Sequence, residues 1–158
     1  MTREQRRELI EAIGVVAIVG SFIFLALEIS QNSELMKAQS RTEMAQDTVD
    51  LLTLNVGNTD FIDVWNRGNA GEELTDVEQT QFALTYSGWI WHWNNLAYLH
   101  RVGLYDESEY SLQFNIIRGE LDEFPGFKSF WCDIGRLAAS PDVIDAIEGT
   151  SNDDLCGP

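Results

Sequence analysis

The chain of 158 residues has little of what catalytic and metal sites are made from: 2 histidines, 2 cysteines, and 10 lysines and arginines against 26 aspartates and glutamates. His92 and His100 fall on different faces of a helix, whereas helical zinc ligands recur at i and i+3 or i+4. His100, near a predicted helix C-terminus, reads instead as a partner of the helix dipole. No Gly-x-Ser-x-Gly elbow, Walker loop, dinucleotide fingerprint or calcium loop occurs. Glu120, Asp122 and Glu123 cluster, but Glu120 and Glu123 share a face that reads as solvated, and a general acid needs burial. Cys132 has no evident histidine partner. The expectation is no enzyme, no cofactor and no metal. Cationic clusters are also missing, which argues against nucleic acid as a partner. From Ser30 onward 22 acidic residues face 7 basic ones, a net −15, read as a solvated acidic surface or as a means of capturing basic partners or divalent cations.

What the chain does have is an uncharged apolar run, Ala12 to Leu27, behind Arg3, Arg6 and Arg7. Its 16 residues reach about 24 Å as a helix, short of the roughly 30 Å hydrocarbon core. Widening it to Leu9 and Ile29 gives about 31 Å, with Glu11 one turn from Arg7 and Glu28 able to extend to water. The reading is a membrane span over 9–29. A signal peptide lacks its small-residue cleavage site after Leu27, and a buried helix of a soluble core is the other alternative. The arginine bias predicts residues 1–8 in the cytoplasm and the bulk of the chain on the other side of the membrane.

Helical pattern continues over 30–56 as a stalk or first bundle helix. Leu35, Ala38, Thr42, Ala45, Val49, Leu52 and Val56 form a 3,4-spaced seam that extends backwards through Ser21, Ala17 and Gly14. Small residues allow close helix approach, so Gly14, Ala17, Ser21, Ala38 and Ala45 are candidate self-association positions of a homo-oligomer. The alternative is that this seam faces the protein's own domain.

Over 57–148 the patterning predicts about five further helices and no strand, making the fold all-α. A short helix runs from Asp60 to Arg67, capped by Thr59 or Asp60. Thr75 and Glu78 form a capping box opening the longest helix of the domain, which stops at Gly103. Phe82, Tyr86, Trp89, Trp93, Leu96 and His100 share one face; Val77, Leu84, Trp91 and Tyr98 form a second stripe nearly opposite. Asp106 caps a helix to Glu123, and Pro125-Gly126 breaks it. The next helix turns Phe127, Phe130, Trp131, Ile134 and Leu137 inward, and Ser140-Pro141 opens a last one. The tail, 149–158, is polar. A Cys132–Cys156 bridge would close a loop worth roughly 3 to 4 kcal/mol; two free thiols are the alternative.

The order of several motifs carries a resemblance: the span followed by Gln31-Asn32, then Val64-Trp65-Asn66-Arg67-Gly68, then Leu74-Thr75 with Glu78 and Phe82. Asn95 and Tyr98, Gly103-Leu104-Tyr105-Asp106-Glu107, Pro125-Gly126-Phe127 with Trp131, and Ser140-Pro141 complete it. In these the chain resembles an uncharacterised family of bacterial single-pass membrane proteins. That resemblance implies a span plus an all-helical domain, with no established activity and no catalytic positions to carry over.

Two functions follow as expectations. One is a membrane-anchored interaction or scaffolding module that meets a membrane or extracytoplasmic protein and self-associates through span and stalk. The other is a tethered sensor with a pocket for a small apolar or cationic ligand beside Tyr86, Trp89 and Trp93. Against that pocket stands a filled aromatic core, and the Trp91 and Tyr98 stripe suits a lipid or protein boundary.

Overall fold

The computed structural model describes residues 2–53, 56–149 and 155–156. Every regular element among them is helical. The chain divides into two units, Met1–Gln39 and Ser40–Pro158.

The first unit is the leading part of α1, which runs Arg3–Thr53. Thr2 opens the helix by accepting from the backbone N–H of Gln5, whose side chain accepts from the Thr2 N–H in return. Arg7 pairs with Glu11 at 2.9 Å, one turn on. The Ser21 hydroxyl donates to the Ala17 carbonyl at 2.8 Å, so the one hydroxyl inside the apolar run is satisfied by its own helix. Side chains from Leu9 to Ile29 are exposed, and among the described residues this is the one helix long and apolar enough to cross a membrane.

The second unit is a helical bundle built around α3 (Asp76–Arg101). The last turns of α1 run antiparallel to it: Met44 Sδ lies 3.4 Å from Asn95 Nδ2, and Thr48 Oγ1 is 3.3 Å from His92 Nε2. The face of α1 turned to the bundle is therefore Ser40, Met44, Thr48 and Leu51. The alternative placing Thr42 and Ala45 inward is corrected, since both are exposed. Met44 and Leu51 put longer apolar side chains into that interface than Ala45 would. The compact second unit takes in α1 from Ser40, so the last turns of α1 serve as a bundle helix. α1 is described as far as Thr53; the stretch to its expected end at residue 56 includes residues 54–55, outside the described residues, and the Val56 N–H donates to the Leu52 carbonyl at 3.2 Å.

Asn58 caps α2 (Thr59–Asn69), its side chain accepting from the Phe61 N–H at 3.2 Å, so the expected cap at Thr59 or Asp60 shifts back one or two residues. α2 also runs past Arg67, because Gly68 and Asn69 are buried against α3 and α5 rather than forming a loop. Both halves of the capping box at Thr75 and Glu78 are made. Glu78 accepts in addition from the Arg67 guanidinium, which bonds Asp63 and the Glu73 carbonyl as well. Thus one carboxylate fastens the start of α3 to the end of α2.

Asp106 caps α4 (Glu107–Glu123), and Pro125 is the first residue of α5 (Pro125–Phe130). A π-helical turn, Trp131–Gly135, follows and leads into α6 (Arg136–Ala138). This turn inserts a residue into the helical period, and Gly135 is buried while Ile134 and Leu137 are 50% and 86% exposed. Their expected inward placement is thus corrected. Trp131 stays fully buried, its indole N–H donating to Glu148 at 3.1 Å. Ser140 caps α7 (Pro141–Glu148), and the Asn94 side chain holds that corner by donating to the Ala138 carbonyl and accepting from the Ser140 N–H. Cys132 and Cys156 are joined in a disulfide, with Leu155 and Cys156 packed on the core.

Two outcomes are expected in thermal unfolding. A Cβ at Gly126 would overlap the Gly68 carbonyl and come within 3.3 Å of Asn69 Cα, so Gly126→Ala should destabilise by about 3 kcal/mol. Gly119 in α4 has open space around it, so Gly119→Ala should stabilise by about 0.5 to 1 kcal/mol. In acid titration, the Thr75 N–H, the Arg67 guanidinium and the Thr75 hydroxyl hold the Glu78 carboxyl below its ordinary range. Its contribution is complete above the unfolded-state value near ~4.3 and is lost as pH falls through the lower folded value. Glu78→Gln should flatten the acid limb of a stability-versus-pH curve; an unchanged slope would refute that assignment.

Candidate functional site

α3 carries aromatic residues on two sides of its buried face, and the sides differ in what they meet. Towards α5, Tyr86 stacks on Phe127 with ring centroids 4.4 Å apart and on Phe130 at 5.2 Å. Trp65 of α2 packs on the same tyrosine at 4.7 Å. Tyr86 is buried, and its hydroxyl donates to Oδ1 of the equally buried Asn69 at 2.6 Å. That column is filled.

On the other side, the packing leaves a cavity of about 400 Å³. α3 supplies Thr85, Tyr86, Trp89 and Trp93 to its wall, and α2 supplies Phe61, Ile62 and Trp65. α4 lines it with Gln113, Ile116, Ile117 and Glu120, while Leu51, Leu52 and Val56 border its open side, where Val56, Leu52, Ile62 and Ile116 are exposed. The volume falls within the range of small-molecule sites, and the lining is predominantly apolar and aromatic, as in such sites.

Few polar groups face the space. Thr85 turns its hydroxyl to the Gln81 carbonyl of its own helix at 2.9 Å, and Tyr86 is committed to Asn69. Glu120 is left. It is half-buried, and burial first, then the negative charge of Glu123, push its carboxyl above the ordinary glutamate range. The solvated placement expected for Glu120 is corrected: it lies one turn beyond Ile117, and its side chain enters the wall. Burial also raises the Tyr86 hydroxyl, with the Glu120 charge adding to it, so Tyr86 is a neutral donor.

Beside Gln113 a smaller depression of about 260 Å³ is lined by Arg41, Thr48, His92 and Glu109. Burial lowers the His92 imidazole, opposed by the charge of Asp47, and Arg41 pairs with Glu109 at 2.5 Å. His100 stacks on Tyr110 at 4.0 Å and bonds Glu107 at 2.6 Å. Among the described residues no three His, Cys, Asp or Glu side chains come together as a metal set would require.

Tyr86, Trp89 and Trp93, singled out by sequence, thus meet in one wall. Trp65, Ile117 and Glu120 were missed as site residues. Trp65 was legible as an inward position of α2, and Gln113, Ile116 and Glu120 form a stripe beside the core stripe of α4. Of the candidate self-association positions, Gly14, Ala17, Ser21, Ala38 and Ala45 are all exposed, and Ala45 borders the smaller depression. The second stripe of α3 is exposed too: Val77 77%, Leu84 68%, Trp91 72% and Tyr98 52%.

Because Asn69 Oδ1 is buried, Tyr86→Phe should cost about 1 to 3 kcal/mol in denaturant unfolding by leaving that acceptor without its donor. A neutral result would mean that Asn69 finds another partner. Compared with known protein families, with curated proteins and with solved structures, the chain matches none of them.

Proposed function

We propose that the protein is a membrane-tethered ligand-binding module, with α1 as its span and the acidic bundle as its receptor. The observation that carries this is the cavity bordered by Trp65, Trp89 and Trp93. An apolar, aromatic recess open at the surface forfeits dispersion contacts that a fitting ligand would restore. In this reading Arg3, Arg6 and Arg7 hold the amino terminus in the cytoplasm of a bacterium, and the bundle lies outside the inner membrane. The Cys132–Cys156 disulfide supports that side, since such bonds persist in oxidising compartments.

The test is equilibrium dialysis of the full chain in nanodiscs against 4-tert-butylphenol, a neutral apolar probe, with empty nanodiscs as reference. Saturable retention is expected, and Thr85→Trp, which fills the space, should abolish it while leaving thermal unfolding nearly unchanged. Retention no greater than that of empty nanodiscs, for this probe and for its cationic isostere (4-hydroxyphenyl)trimethylammonium alike, would overturn the reading.

A second reading, an interaction or scaffolding module, is favoured by the exposed α3 stripe and by the exposed α1 seam at Ala45, Val49 and Leu52. Its occupant would be a second copy or an extracytoplasmic protein. Cysteines placed by Ala17→Cys and Ala45→Cys test both seam and side, since the bonded native pair does not react. Oxidative dimers at both positions are expected for a self-associating seam, and none at either removes it. Labelling of the Ala45→Cys chain by an impermeant maleimide on spheroplasts is expected for an extracytoplasmic bundle; protection until lysis would reverse the orientation.

A further inference from the structure

Resting on the ligand-binding reading of the cavity, a further question is the charge of what fills it. Among the described residues, the wall contains one carboxyl, Glu120, and no lysine, arginine or histidine. Every arginine of the bundle is engaged elsewhere: Arg41 with Glu109, Arg67 with Asp63 and Glu78, Arg101 with Asp142, Arg118 with the Ala146 carbonyl, and Arg136 with Glu148. Among the described residues, Glu120 has no ion pair. From these observations we infer that the cavity takes a lipophilic organic monocation, an amine or quaternary ammonium on an apolar body, with its charged head beside Glu120 and the indoles of Trp65, Trp89 and Trp93.

The alternatives fail on the same geometry. A neutral ligand binds more weakly, because it covers a half-buried carboxylate without giving it a partner. An anion would meet that carboxylate directly and Glu123 behind it. A divalent metal needs several oxygen ligands, and the wall offers one carboxyl and one amide. A monocation supplies the missing charge and gains from aromatic faces, whose quadrupole attracts cations more strongly when water is excluded. The chain's net charge of −16 raises the local concentration of such ligands. Among the described residues, titratable groups facing Glu120 are Tyr86 from α3 and Glu123 on α4; the α1 and α2 walls contribute none. Preference for the cation should therefore grow as pH rises through the Glu120 titration, which lies above the ordinary glutamate range.

The experiment compares two isosteric probes on the full chain in nanodiscs at neutral pH: (4-hydroxyphenyl)trimethylammonium and 4-tert-butylphenol, which differ by nitrogen against carbon. The expected result is about tenfold tighter binding of the ammonium compound, with the preference lost in Glu120→Gln and 4-tert-butylphenol binding kept. Equal affinities in the unaltered chain, or a preference that survives Glu120→Gln, would overturn the inference and leave the cavity as a ligand site. Retention of neither probe would overturn the ligand-binding reading itself.

Discussion

The close backbone approach of Gly68 in α2 to Gly126 in α5 sets the rest of the bundle. A side chain at Gly68 would come within 2.5 Å of the Phe82 ring, and one at Gly126 would overlap the Gly68 carbonyl. With both side chains absent, the start of α5 lies against the end of α2, and Phe127 seats flat on Tyr86. The Tyr86 hydroxyl then reaches Asn69, one residue beyond the contact. Each aromatic pair adds about 0.5 to 1.5 kcal/mol beyond its burial, so the column from Trp65 through Tyr86 to Phe130 is a principal source of order in the unit. Because that column fixes Tyr86 and Trp65 from one side, the other side is free to remain open, and there the cavity lies.

Electrostatics follow the same division. The bundle is strongly acidic, and its few arginines are spent on joining elements: Arg67 ties α2 to α3, Arg101 ties α3 to α7, and Arg118 ties α4 to α7. Such exposed pairs are individually weak. Their effect here is to leave no arginine over for the cavity carboxylate. A site with one unanswered charge in an apolar wall selects its ligand by sign as well as by shape.

Much of this was legible in the sequence where local chemistry decides. The capping box at Thr75 and Glu78, the caps at Asp106 and Ser140, and the core spacing of Phe82, Tyr86, Ile90 and Trp93 depend on neighbours within a turn or two. Illegible features depend on distant contacts. The π-helical turn at Trp131 arises in a stretch that reads as ordinary helix, and it exposes Ile134 and Leu137 by shifting the period. Which face of α1 turns inward could not be read from the seam, because Met44 and Thr48 answer to Asn95 and His92 far along the chain. Glu120 read as solvated since its burial is made by other helices.

The 5 tryptophans divide by place in a way that one spectrum can report. Trp65, Trp89 and Trp93 border the cavity, Trp91 is exposed on the outer stripe, and Trp131 is sealed beneath α7. The most direct measurement is fluorine NMR of the full chain carrying 5-fluorotryptophan, assigned by single Trp→Phe variants and titrated with (4-hydroxyphenyl)trimethylammonium. A cavity that binds its ligand shifts the Trp65, Trp89 and Trp93 resonances together and leaves Trp91 and Trp131 in place. Shifts confined to Trp91, or none at all, would contradict it.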